Sequence, residues 1–412
     1  MNKERILSLL RRGLIVLLTA SAVFLALESG VFTTGRQTAM GTEVTGAPAP
    51  ESGEASENAV ILRPEAVLVF RADGSRRVSM YDGAATEHAF GQFAALLGEA
   101  LGTAELPESL TEAEFRSGLV GDGVLLALGA DYPLEQVARW LGAGAPARTL
   151  GETSLLYLTP GAASVELYFR RSEGDFARCA TSAHSELLRA RLEEFAGTEC
   201  LLAFEDETLA GIAPYTILPE VLPELPQAGA TVPALEPRSL MTAFGMNSYV
   251  ASGYRESDGT EVYLDDQKTL RIAPDGTVTF LARGALSPAE GEGSAIDQAL
   301  RLGERTLGRD LGDAVLAFSQ RTVTGTVERV TLVYTLRGVP VHLAAGAAAE
   351  LSFQNGRLLQ AVLRPRSFAL REELTPVAPA RFAAAIAAGE GGAPSLVYLE
   401  RGDWLHCVWV NH

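Results

Sequence analysis

Apolar and polar positions change period several times along the chain, and each change marks an element. Residues 13–27 (GLIVLLTASAVFLAL) carry no charge, and Lys3, Arg5, Arg11 and Arg12 stand before them against a single Glu4. A basic flank followed by an apolar run predicts a membrane-spanning helix over 13–32. About 20 residues at ~1.5 Å each reach the ~30 Å of the hydrocarbon layer, with Glu28 lifted toward the interface. Basic residues stay on the cytoplasmic side, and the stretch after the run carries only Arg36 against Glu43, Glu51, Glu54 and Glu57. Residues 1–12 are therefore expected as a cytoplasmic tip, with the rest of this single-pass cell-membrane protein outside the cytoplasm. A cleaved secretory signal is the rival reading; Ala20-Ser21-Ala22 lies inside the run, and no small-x-small site follows it cleanly. Thr19, Ala20, Ser21, Ala22 and Ala26 leave a face on which another helix can approach closely, and Thr19 and Ser21 can add hydrogen bonds of about 0.6 kcal/mol each.

Residues 33–58 are mostly Gly, Ala, Pro, Ser, Thr and Glu with almost nothing to bury, which predicts a flexible stalk. Beyond it, 66–70 and 77–81 alternate around Ala72-Asp73-Gly74 and predict a hairpin. Phe90, Phe93, Leu96, Leu97 and Leu101 share one face of a helix over 87–101. A strand at 123–128, a helix at 133–141, paired strands at 155–158 and 165–170 and a helix around 182–195 complete a first α+β domain, 59–217. The stretch 218–237 holds five prolines and no sustained period, so it is expected as an interdomain connection. In 238–412 short strands at 260–264, 269–272 and 278–282 are separated by Asp265-Asp266 and Pro274-Asp275-Gly276, residues that close turns through side-chain hydrogen bonds and positive φ. A helix at 294–307, strands near 327–336, 348–353 and 358–364 around an Asn355-Gly356 turn, a helix at 376–388 and strands at 395–400 and 405–410 follow. The fold class is α+β, with antiparallel sheets and helices laid across one face.

Composition narrows the function. A formal charge of −17 repels phosphate backbones, so no nucleic acid is expected as a partner, and the lipid bilayer is met through the one helix. Cys179, Cys200 and Cys407 are too few for a disulfide scaffold; Cys179 and Cys200 could pair, but half-buried free thiols are the preferred reading.

No cluster of chemistry stands out. The five histidines, His88, His184, His342, His406 and His412, form no ligand pair with metal spacing, so neither a metal nor a cofactor is expected. No nucleophile elbow, Ser-x-x-Lys or phosphate loop occurs, and Gly142-Ala143-Gly144 follows a helix, where a dinucleotide fingerprint needs a strand. The acidic pairs Glu193/Glu194, Asp265/Asp266 and Glu372/Glu373 are neighbours that point different ways, which suits solvated surface. Trp140, Trp404 and Trp409 are expected in the core or at a sheet edge, with Trp404 beside an Arg401-Gly402-Asp403 hairpin turn as a candidate contact. No catalytic residue is assigned, and the chain reads as a binding protein, not an enzyme.

Tyr254 to Phe280 (YRESDGTEVYLDDQKTLRIAPDGTVTF), the run Tyr334-Thr335-Leu336-Arg337-Gly338-Val339-Pro340-Val341, and the ending Leu396-Val397-Tyr398-Leu399 with Cys407-Val408-Trp409-Val410 resemble the YycH/YycI family. The likeness covers the anchor by architecture and 240–412 by pattern, and 59–217 only loosely. It implies a single-pass membrane protein that associates with the sensor histidine kinase of the WalK/WalR (YycG/YycF) two-component system, adjusts cell-wall metabolism, and can have a paralogous YycH/YycI-type partner. The competing reading is a cell-envelope ligand-binding protein or hydrolase, with a groove between the two domains.

Overall fold

The computed structural model describes residues 62–144, 149–171, 174–249, 251–283 and 293–411. The expected anchor (13–32), the stalk (33–58) and the face of Thr19, Ala20, Ser21, Ala22 and Ala26 lie outside the described residues. Among those residues no helix is long and apolar enough to cross a membrane.

The first half of the chain runs β1 (Ala66–Phe70), β2 (Arg76–Met80), α1 (Gly83–Gly102), β3 (Glu108–Leu110), α2 (Glu112–Gly118), β4 (Gly123–Pro133), α3 (Leu134–Trp140), β5 (Glu152–Pro160), β6 (Ser164–Arg171), β7 (Phe176–His184), α4 (Ser185–Glu194), β8 (Thr198–Leu202) and β9 (Ile217–Pro219). These strands make a nine-stranded antiparallel sheet in the order β3-β7-β6-β5-β4-β1-β2-β8-β9. Val69, Val124, Leu158 and Leu167 fall in one register row, and α1 and α4 cover that face with Phe93, Leu97 and Leu188. Leu68, Leu125, Tyr157 and Tyr168 form a row on the opposite face. Helices were expected on one face only. Here a second layer closes the other face: Phe115 of α2 meets Phe176 at 4.6 Å and Tyr215 at 5.5 Å between ring centres, and Tyr168 at 6.3 Å. The cause is in β1, whose sequence AVLVF puts apolar side chains on both sides and is buried at every position.

The second half runs β10 (Pro226–Thr231), α5 (Pro237–Ala243), β11 (Ser252–Arg255), β12 (Glu261–Asp265), β13 (Lys268–Ile272), β14 (Val278–Ala282), α6 (Ala295–Leu307), β15 (Ala314–Thr324), β16 (Val327–Leu336), β17 (Val339–His342), β18 (Ala349–Gln354), β19 (Arg357–Leu363), β20 (Ser367–Leu374), α7 (Ala380–Glu390), β21 (Pro394–Arg401) and β22 (Trp404–Asn411). Thirteen strands join in one sheet, antiparallel except where β17 runs parallel to β21. Leu270, Phe280, Ala361, Leu351 and Val330 line one buried row across five strands. Helix α6 lies on that face, and a Cβ at Gly303 would sit 2.8 Å from Leu332, so glycine is what lets the helix come this close.

Segment 218–237, expected as a bare connection, contributes residues 218–219 and 226–231 to the sheets. Leu218 and Pro219 close β9, and β10 pairs with both β20 and β22. Proline misleads here because it tolerates strand ends: Pro219 is the last residue of β9 and Pro226 the first of β10. All described residues fall in one compact unit.

Four contacts lock the halves together. Asp297 of α6, only 7% exposed, accepts from Gln136 Nε2 at 2.9 Å, from Trp140 Nε1 at 2.7 Å, and from the Ser294 amide and hydroxyl at 3.0 Å. Arg321 of β15 bridges Glu152 of β5 (2.5 Å) and Glu328 (3.2 Å). Tyr132 packs on Phe318 at 4.8 Å. The two-residue turn Arg337-Gly338 docks on the start of α1, where Gly83 N donates to Arg337 O at 2.9 Å.

Candidate protein-contact surface

The residues singled out by sequence are dispersed by the fold. Trp140 is spent on Asp297. Trp409 donates through Nε1 to Ala378 O at 2.9 Å and meets Tyr81 edge-on at 6.2 Å. Trp404 lies under the Arg371 guanidinium, 3.5 Å from ring centre to Cζ, at the Gly402-Asp403 hairpin turn, and is 40% exposed. The three tryptophans thus share no groove. Asp265 at the end of β12 accepts from the Asn247 amide, while Glu372 and Glu373 are exposed along β20.

All three cysteines carry free thiols. Burial pushes the Cys179 thiol up to about 11 and the Cys200 and Cys407 thiols up to about 12, far from the thiolate that redox or metal chemistry uses. Among the described residues no group of His, Cys, Asp and Glu converges as a metal site. An open hollow of about 480 Å³ lies between Arg63 and the segment from Glu304 to Leu316. Its lining holds one carboxylate, Glu304, where a two-carboxylate hydrolase needs a facing pair.

The surface is more informative than the hollows. Exposed apolar side chains such as Tyr254, Leu264 and Leu281 stand on the outer face of the β11–β14 meander, but Thr269, Arg271 and Thr279 share that face, so it stays wet. Helix α7 is different. Its sequence ARFAAAIAAGE is rich in alanine, the best helix former; Pro379 precedes it, and Gly391 at φ 76° ends it. Its two charged residues, Arg381 and Glu390, stand near its ends.

Ala380, Ala384 and Ala387 pack into a small separate core with Ala203, Leu209, Ile212 and Leu218. The opposite side presents Phe382 (60% exposed) and Ile386 (50%), with Ala385 and Gly389 exposed between and beyond them. Spacing of i, i+3, i+4 and i+7 makes this one continuous stripe. A helix apolar all round is normally covered on all sides, and α7 is covered on one.

The rim is acidic. Arg381 pairs with Asp206 at 2.5 Å, and hydrogen bonds from Thr208, together with that guanidinium, hold the Asp206 carboxyl below its usual range. Glu207 begins a 3₁₀ turn and Glu220 follows β9, both elements packed against α7, while Glu390 ends the helix itself. Sequence reading placed a helix at 376–388 but not this face. The signal was present: eight consecutive uncharged residues between Arg381 and Glu390 leave a helix no polar side.

No known protein family matches the sequence, and no curated protein matches it either. Among solved structures, the crystal structure of YycH from Bacillus subtilis aligns at a TM-score of 0.57 and 12% identity, over 85% of this chain and 93% of that one. Coverage this wide takes in the nine-stranded half, where the sequence likeness was loose. The chain has the YycH fold.

Proposed function

We propose that this protein is a membrane-anchored regulator which, outside the cytoplasm, sets the output of a sensor histidine kinase of a two-component system controlling cell-wall metabolism. It acts by protein contacts and without catalysis. The observation that carries the reading is the YycH fold along 85% of the chain, joined to the motif likeness at Tyr254–Phe280 and the closing strands. The outer stripe of α7 supplies a contact surface, and the halves are locked, so the reading needs no cleft closure.

In this proposal residues 13–32 span the bilayer, and Thr19, Ala20, Ser21, Ala22 and Ala26 offer a second contact to the kinase helices; a paralogous protein of the same fold is a further partner. Purification in detergent after crosslinking should recover a histidine kinase. Recovery of the chain without one, at normal expression of both, would sink the proposal. A C-terminal alkaline phosphatase fusion should be active and a C-terminal fluorescent protein that matures only in the cytoplasm should be dark; the reverse pattern overturns the topology.

A further inference from the structure

An apolar stripe on a helix that carries Glu390, in a chain of formal charge −17, has a definite chemical complement. Phe382 and Ile386 are ridges four residues apart, and Ala385 and Gly389 beside them let another backbone come close. Glu390 stands on α7 itself and accepts from Asn411 Nδ2 at 2.9 Å, Asp206 is paired with Arg381, and Glu207 and Glu220 are exposed at the elements packed against the helix. From this arrangement we infer that the outer face of α7 is the docking site for a basic amphipathic helix of a partner protein, with apolar anchors at i, i+3/i+4 and i+7 between α7 ridges and Lys or Arg against Glu207, Glu220 and Glu390.

Two other occupants fit less well. A second copy of this chain would set the same carboxylates against one another on a chain of formal charge −17. An anionic membrane surface is repelled by the acidic rim. A basic helix both covers the stripe and neutralises the rim, and helix-in-groove recognition of this type is read through such spaced anchors.

The inference rests on reading this face as a protein-contact surface, and not on the partner being a kinase. Its test is fluorescence anisotropy with the full-length protein in uncharged detergent. The probe is a labelled helical peptide of about 18 residues with a leucine stripe and lysine flanks, and the control has the same stripe with glutamate flanks. The lysine peptide should bind, and raising salt from about 50 to about 500 mM should weaken it about fivefold or more. Phe382→Asp with Ile386→Asp should weaken binding about tenfold or more, and the milder Phe382→Ser should fall between. Glu207→Gln, Glu220→Gln and Glu390→Gln together should remove most of the salt dependence. Circular dichroism of each variant should match the parent. Equal binding of both peptides, binding of neither, or unchanged affinity in the Asp variants overturns the inference. So does a wild-type dimer in sedimentation that Phe382→Asp dissociates, since the face would then belong to a second copy. Peptide binding without kinase recovery would leave the inference standing and remove only the kinase.

Discussion

The nine-stranded and thirteen-stranded sheets bury their strands by different rules. In the first, β1 is buried at every position and most of β4 and β5 with it, because helices α1 and α4 cover one face and the Phe115–Tyr215 aromatic layer covers the other. In the second, β18 alternates strictly between buried and half-exposed positions, and β14 sends Phe280 inward and Leu281 outward. A sheet closed on both sides has no surface to offer, and it acts as scaffold. Exposed apolar side chains are left to the open face of the second sheet and to α7, which leans on β9 of one sheet and β21 of the other.

The contrast can be broken most directly by emptying one layer. Phe115→Ala removes a fully buried ring that touches three aromatic neighbours and should cost about 3–5 kcal/mol, read from urea unfolding. Leu281→Ala, on the open face of the second sheet, should stay within about 1 kcal/mol. Similar costs at the two sites would mean that the second layer over the first sheet does not hold.

Next in size is the lock between halves. Asp297→Ala leaves the side-chain donors of Gln136 and Trp140 unpartnered in a buried place and should cost about 2–4 kcal/mol. The single calorimetric transition expected of the parent should split in two or acquire a shoulder. Loss of stability below about 1 kcal/mol with one sharp transition would show that the halves are held by other contacts.

Much of this architecture was legible in the sequence, and unevenly so. The meander from β12 to β14 was readable because Pro274-Asp275-Gly276 and alternation agree, and Asp275 does accept from the Thr277 amide while Gly276 takes φ 83°. Helix α6 was readable from its period, and Ser294 caps it through Asp297. Helix α2 was missed although Thr111-Glu112-Ala113-Glu114 spells a capping box that the structure forms in both directions. Strands β7, β15 and β20 were missed because their outward positions hold Arg, Thr, Ser and Glu in runs that resemble loop. The proline-rich stretch failed for a related reason: composition showed where a chain can turn, while the partners of β10 lie more than a hundred residues away. The α7 surface needed the fold, since only packing against Leu209, Ile212 and Leu218 tells which side of an alanine-rich helix is left over.

A smaller effect sharpens the comparison at the start of β1, an interior strand of the first sheet. Glu65, half-buried just before β1, has its carboxyl raised above the usual range by burial. A carboxyl raised in the folded chain favours folding in its protonated form. That contribution is complete below the ordinary carboxylate pKa of about 4.3 and is lost as pH rises through the raised value. Glu65→Gln should therefore gain on the parent as pH climbs from about 4 to about 7. Parallel stability curves for the two proteins would show that Glu65 is as well solvated folded as unfolded.

In the proposed role, the outer face of α7 controls a kinase. Its most direct test is phosphorylation of the cognate response regulator in cells carrying Phe382→Asp with Ile386→Asp in place of the parent. Both residues are exposed, so abundance and melting temperature should be unchanged. The account predicts that phosphorylated regulator shifts about threefold or more, toward the level in cells lacking the protein. Unchanged phosphorylation at normal abundance would contradict it.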